Sequence, residues 1–247
     1  MKNNFLELPE GCILFGKGSS NKKVKGWLEN WRLNSIDLCS ILILSGTKTA
    51  EIDGISAAGS TAISRRYTAL ADAEMLLFGP LKKSEWPLPR LPGGISPALI
   101  SHVACTIIGL KPKVLVAGLD NQASFPHLCV EDPSNGPSRC ISSGHSMSLE
   151  RVQSLWAKGV SIGSELRVPL LLAESVPGGT TTAQAVLVGL GLSVDQLVSS
   201  SLREVPFTLK TNLIKTAFKS AQLGTNPAPQ EILSAVGDPF QALCTGI

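Results

Sequence analysis

What this chain has little of narrows its class first. Only 17% of its residues are charged against 43% hydrophobic, a balance that favours a buried core and excludes a disordered polymer. Net charge is just +3, and basic residues are scattered apart from a mild cluster at Lys17, Lys22, Lys23 and Lys25. A solvated helix face accounts for that cluster, so nucleic acid is not an expected partner. The cysteines at 12, 39, 105, 129, 140 and 244 contain no CxxC pair and no metal-like spacing with His102, His127 or His145. Neither a metal nor a cofactor is expected, and most of the thiols lie in apolar stretches as small hydrophobes. The longest apolar runs are broken by Ser, His or Gly well short of a membrane span. MKNNFLELPEG carries acids where a signal peptide needs an apolar run, so no membrane and a cytoplasmic setting are expected. Internal repeats and low-complexity tracts are missing too.

What is present is an alternation of strand and helix signals. At 247 residues and 26.0 kDa the chain can bury a core as one α/β domain, or as one domain plus a small helical annex over residues 1–35. Val24, Trp27, Leu28 and Trp31 recur at helical spacing within 20–33. Strands are expected at 38–44, 113–117, 168–173 and 196–199. Helices are expected at 67–78, 97–109, from Ser148 to about Lys158, at 182–190 and at 208–222. Prolines and glycines make 80–96 a connection, and 118–147 reads as a long functional or mobile loop. Repeated βα units predict a three-layer, Rossmann-like α/β fold with a mostly parallel sheet and helices on both faces. Ligands of such sheets meet the carboxyl ends of the strands. Three candidate loops begin there: SGTKTAEIDGISAAG, ESVPGGTTT and the SSSL after Val198.

ESVPGGTTT at 174–182 is the most informative of the three. Gly178 and Gly179 permit positive φ and leave no Cβ in a ligand's way. Thr180, Thr181 and Thr182 bring hydroxyls and amides to a helix N-terminus, where the macrodipole favours an anion. A lysine before the hydroxyl residues is lacking, so this is not a Walker A loop. The same residues also suit a plain tight βα turn with a good N-cap, and composition does not choose between the two.

ESVPGGTTTA resembles the signature of the family related to nicotinate-nucleotide–dimethylbenzimidazole phosphoribosyltransferase, which makes the lower-ligand nucleotide of cobalamin. The likeness is closest to the less characterised branch from archaea and cyanobacteria. It continues in order through DGISAAGS at 53–60, ADAEMLLFG at 71–79, SPALI at 96–100, LVSSS at 197–201, LK at 209–210 and VGDP at 236–239. Several ordered motifs are far more specific than one glycine loop.

The resemblance implies transfer of phosphoribose from nicotinate mononucleotide to 5,6-dimethylbenzimidazole or a related base, within cobalamin biosynthesis. It assigns the 5′-phosphate to Gly178, Gly179, Thr180, Thr181, Thr182 and Lys210, with Ser199, Ser200 and Gly237 beside them. Lys210 otherwise reads as a surface lysine near a helix start. Ser199 and Ser200 replace a Gly-Thr-Gly type turn of the better-known enzymes. Ser56, Ala57 and Ala58 border the implied base pocket, where bulkier residues stand in those enzymes; an ordinary Gly/Ala-rich loop is the other reading. Glu174 is the implied catalytic carboxylate, either proton acceptor or stabiliser of positive charge on the ribose, unless it only braces the loop. Characterised relatives are homodimers, so a homodimer is implied here.

The family continues beyond VGDP, and its principal general base lies towards the C-terminus with no counterpart recognised here. The chain is therefore expected to be a truncated member with reduced activity, or a non-catalytic nucleotide-binding relative. Asp238–Pro239 is a strong helix opening, after which Phe240, Leu243 and Ile247 are expected to expose apolar surface.

Overall fold

The computed structural model describes residues 26–29, 38–80, 83–88, 95–200 and 202–247. Residues 26–29 are helical; the rest of the helix expected over 20–33, Cys12 and the lysine cluster lie outside the described residues. Two compact units divide the chain: 1–39 with 166–171, and 40–165 with 172–247. In the first, Cys39 N–H donates to Pro169 O at 3.0 Å. Everything below concerns the second, apart from the outer ends of two strands.

Four strands form one sheet in the order β3-β2-β1-β4: β1 Cys39–Ser45, β2 Lys113–Ala117, β3 Leu128–Cys129 and β4 Leu170–Ser175. β1 runs parallel to β2, Ile41 opposite Lys113 through Ser45 opposite Ala117, and β2 parallel to β3. The sequence CSILILS is apolar almost throughout because Ser40 to Ser45 are all buried, as in a central parallel strand. Leu42 and Leu44, two apart and so on one face, pack with Ala69, Leu70, Ala73 and Leu76 of helix α1, Ala62–Phe78. The predicted α/β fold, a mostly parallel sheet with helices around it, is what forms.

Helix α1 begins five residues earlier than its apolar pattern suggests. Thr61 and Ser64 make a reciprocal capping box, Ser64 N–H to Thr61 Oγ1 at 3.1 Å and Thr61 N–H to Ser64 Oγ at 3.0 Å. The familiar sequence signature has Glu or Gln at that third position, so serine there is easily passed over. Helix α2, Pro97–Ile108, has Ser96 as N-cap and closes at Gly109 in the left-handed region. Helix α3, Leu149–Glu165, runs past Gly159, which reads as its stop in the sequence. Gly159 and Gly163 lie against the backbone of Leu243 and Ile247, so missing side chains are filled by main chain and the helix persists.

α4 is Gly179–Gly189, α5 Phe207–Ala221, α6 Pro229–Val236 and α7 Pro239–Cys244. A second core joins Ala185, Ile214, Ala217, Ile232, Ala235 and Val236 around Ile141. The strand expected at 196–199 does not form: 195–197 is a turn with Gln196 at φ 60°. A left-handed residue interrupts the extended path that the valine-rich pattern suggested. The C-terminal expectation is also corrected. Asp238 caps α7 through Gln241 N–H, and Leu243 is fully buried rather than exposed, packed where α3 offers Gly159. α6 is not among the expected helices, although Pro229 at its first turn and Glu231, which accepts from Ala228 N–H at 2.7 Å, are ordinary start signals.

Candidate functional site at the carboxyl ends of the strands

The segments leaving β1 and β4 meet. Gly178 has φ +78°, and a Cβ there would lie 3.0 Å from Ala50 Cα, so conformation and close approach both demand glycine. Gly179 is not left-handed; its smallness lets Val176 sit against the turn, and a Cβ on it would be 4.0 Å from Glu174 Oε2. Gly179 N–H donates to Val176 O at 2.8 Å and Thr181 N–H to Gly178 O at 2.9 Å, which interlock turn and helix. Thr180 is exposed, whereas Thr181 and Thr182 are fully buried. Thr181 Oγ1, like Ser45 Oγ at the end of β1, has no hydrogen-bond partner among the described residues.

Two further carboxyl groups, Asp238 and Asp72, gather around Glu174. Residue Glu174 is itself exposed, yet crowding of its carboxyl, then the charge of Asp238, push its pKa up to about 7, with Asp72 adding to the rise. Asp238 is buried, which lifts it to about 6. Thr182 Oγ1 stands 2.5 Å from Asp238 Oδ2 and 2.9 Å from Gly179 O. One hydroxyl proton serves only one acceptor. Below its pKa of about 6 a protonated Asp238 donates to Thr182, which then donates to Gly179 O; above it Thr182 donates to Asp238 Oδ2 instead. Asp72, on α1, accepts from Ser175 Oγ at 2.7 Å, and burial raises its pKa. In the sequence Glu174 is the only carboxylate of the ESVPGGTTT motif, and Asp238 reads as a helix cap. Their clustering depends on tertiary contacts that spacing does not encode.

Lys210 is not a surface residue. Its side chain is fully buried on α5, its Nζ donates to Ser199 O at 2.8 Å, and burial lowers its pKa. Ion pairs among the described residues do not include it. Lys210 and Ser199 are thus brought together as the motifs implied, while Ser200 Oγ accepts from Leu202 N–H at 3.2 Å. Ser201 lies outside the described residues. Ser199 and Ser200 do not follow a strand; they are irregular, with Ser199 held by Lys210 of α5. Gly237 ends α6, where a Cβ would lie 2.7 Å from Leu233 O, and delivers Asp238 to Thr182.

Ser56, Ala57 and Ala58 sit half-buried in the loop after β1, with Ala58 N–H donating to Ser56 Oγ at 3.1 Å. Two α1 residues missed in the sequence hold this loop. Arg65, 4% exposed, donates to the carbonyls of Ala50, Glu51 and Gly59, and Thr68 Oγ1 donates to Ala58 O. A Cβ on Gly54 would lie 3.8 Å from Leu209 Cδ2, so the loop also reaches the start of α5 beside Lys210. Among the described residues no group of three or more His, Cys, Asp or Glu could hold a metal, and no helix is long and apolar enough to cross a membrane.

This arrangement defines an α/β protein with a glycine turn, a buried lysine and an acidic cluster at the carboxyl ends of its strands. Its fold is that of the nicotinate-nucleotide–dimethylbenzimidazole phosphoribosyltransferases. CobT from Thermus thermophilus superposes with a TM-score of 0.57 at 18% identity, over 83% of this chain and 56% of that one. A second structure, the phosphoribosyltransferase of that name from the same organism, gives 0.57 at 17% identity, over 84% and 56%. In sequence, the chain is 52% identical over 240 residues to a UPF0284 protein of Parasynechococcus marenigrum, covering 97% of this chain and 61% of that one. It is 51% identical to a UPF0284 protein of Prochlorococcus marinus strain MIT 9313 (97% and 60% covered) and 40% identical to one from a Cyanothece species (83% and 56%). The chain therefore spans about three fifths of the length of these curated relatives. No family model matches it.

Proposed function

We propose that the chain carries the nucleotide site of a transferase that moves phosphoribose from nicotinate mononucleotide to 5,6-dimethylbenzimidazole or a related aromatic base, in cobalamin biosynthesis. The observation that supports this most is Glu174, a carboxyl pushed up to about 7 beside the first residue of the glycine-turn helix. A group poised near neutrality suits a general base. In the reaction, the ring nitrogen of nicotinate takes the electron pair of its bond to C1′ and leaves neutral. A lone pair on the incoming base forms the new C1′–N bond, and the proton on that base's other ring nitrogen passes to Glu174. Negative charge from the acidic cluster offsets positive charge building on the ribose.

Gly178, Gly179, the three threonines and Lys210 are assigned to the 5′-phosphate, with Ser199, Ser200 and Gly237 shaping their surroundings. Among the described residues buried Lys210 has one carbonyl for three N–H donors, a state that an anion would complete. Ser56, Ala57 and Ala58 are assigned to the base, their small side chains leaving room for a bulky ring. A homodimer in the cytoplasm belongs to the same reading.

The test is nicotinate release from nicotinate mononucleotide with several bases, beside calorimetric binding of the mononucleotide. Glu174→Gln should cut turnover by at least about tenfold, or about 1.4 kcal/mol of transition-state stabilisation, while leaving affinity within about twofold. Mononucleotide binding with no release for any base would replace the transferase by a nucleotide-binding relative. Absence of binding would remove both readings.

A further inference from the structure

A second cavity, of about 720 Å³, lies at the other end of the strands, where β2 and β3 begin. Its floor is apolar: Leu76 of α1 and Val114 of β2, which belong to one core cluster, are both buried. Cys105 and Thr106 of α2 form a wall. Burial raises the Cys105 thiol, which fits a neutral, apolar surface there. The polar side chains at the rim are of one kind. Lys111, Lys113 and His127 line it, and among the described residues no Asp or Glu does. Neither lysine takes part in an ion pair among the described residues, where Lys48, Arg65, Arg66 and Arg151 are the cations engaged.

Both histidines of the cavity are oriented by main chain. His102 Nδ1 lies 3.0 Å from Leu76 O and His127 Nδ1 lies 2.7 Å from Phe125 O. A carbonyl only accepts, so Nδ1 carries the proton in each ring. The far edge of His102 rests against Gly79, where a Cβ would meet Nε2 at 2.6 Å, so that ring is a fixed wall. His127 is exposed, and its Nε2 is the ring atom open to a ligand.

We infer that this cavity is a binding site for a small amphipathic carboxylate, its aliphatic or single-ring body on Leu76 and Val114 and its carboxylate at Lys111 and Lys113. Concave apolar pockets of a few hundred Å³ with a few convergent polar groups are the usual form of small-molecule sites. Lysine suits the head group as a mobile point charge that keeps its hydration at an open rim. A cationic ligand meets two unopposed ammonium groups, and a neutral one gains nothing from them. Polarity of the ligand, not only its size, is therefore specified.

Calorimetry of the full chain with octanoate, octanol and octylamine tests this, with benzoate as the single-ring probe and no nucleotide present. The expected result is saturable octanoate or benzoate binding, octanol at least tenfold weaker than octanoate, and no octylamine binding. Lys111→Ala with Lys113→Ala should reduce carboxylate affinity about tenfold and leave octanol unchanged. Thr106→Trp, at an exposed wall position, should block all binding. Glu174→Gln should leave carboxylate binding unaltered, which keeps this site separate from the transferase reading. Equal affinity for the three eight-carbon probes, an unaltered carboxylate affinity in the double lysine variant, or absence of saturable carboxylate binding would each overturn the inference.

Discussion

Replacing Asp238 by Asn should flatten part of the pH dependence of stability. Asp238 is 1% exposed, and burial raises its pKa from 3.8 to about 6. The folded state therefore holds this proton more tightly than the unfolded chain does. Stability from this group is fully present below about pH 3.8, falls as pH rises through about 6, and is constant above that. Two pKa units at 1.36 kcal/mol each give about 3 kcal/mol lost across the window. Asparagine keeps the geometry: its amide N–H replaces the carboxyl proton towards Thr182, and its oxygen still caps α7 at Gln241 N–H. Urea unfolding of both proteins from pH 4 to pH 8 gives the difference directly, and subtracting one curve from the other removes the carboxyl groups that Asp238 does not act on, Glu174 being the one it does. The variant should match the parent near pH 4 and exceed it by up to about 3 kcal/mol at pH 8. A difference that stays constant over this range would refute a buried, proton-holding Asp238.

Three further outcomes are expected. Lys210→Ala should weaken nicotinate mononucleotide by about 1.5–3 kcal/mol in calorimetry, the range for hydrogen bonds to charged groups, with circular dichroism unchanged. Gly178→Ala should destabilise by about 1 kcal/mol or more, since its φ of +78° and the 3.0 Å approach to Ala50 both oppose a Cβ; thermal melts read this. Leu243→Ala should cost about 2–5 kcal/mol in urea unfolding, because the side chain is fully buried.

β1, β2, β4 and the glycine turn were legible in the sequence because each signal is local, whereas β3 lies in the segment read as a loop over 118–147. Lys113–Ala117 forms over the residues its valines and leucine mark, and PGGT gives the turn its left-handed Gly178. The ordered motifs carried the fold as well. What stayed hidden depends on partners far along the chain. Lys210 looks solvent-exposed at a helix start until Ser199 folds over it. Gly159 looks like a helix stop until Leu243 supplies the surface it fits. Asp238 announces a helix cap, and nothing nearby announces Thr182, 56 residues away. The valines before Ser199 suggested a strand, and Gln196 in the left-handed region decided otherwise.

Arg65 has a consequence for how this site can change over evolutionary time. One guanidinium is bonded to the carbonyls of Ala50, Glu51 and Gly59, and these atoms are the same whatever side chains the loop carries. Shape is thus written into the main chain, and the recognition of a base proposed above into Ser56, Ala57 and Ala58, which Arg65 does not touch through those bonds. Such a division lets the three small residues be exchanged for larger ones while the loop keeps its path. The same scaffold can then be retuned from one aromatic ring to another, and only loss of the arginine would cost the loop itself.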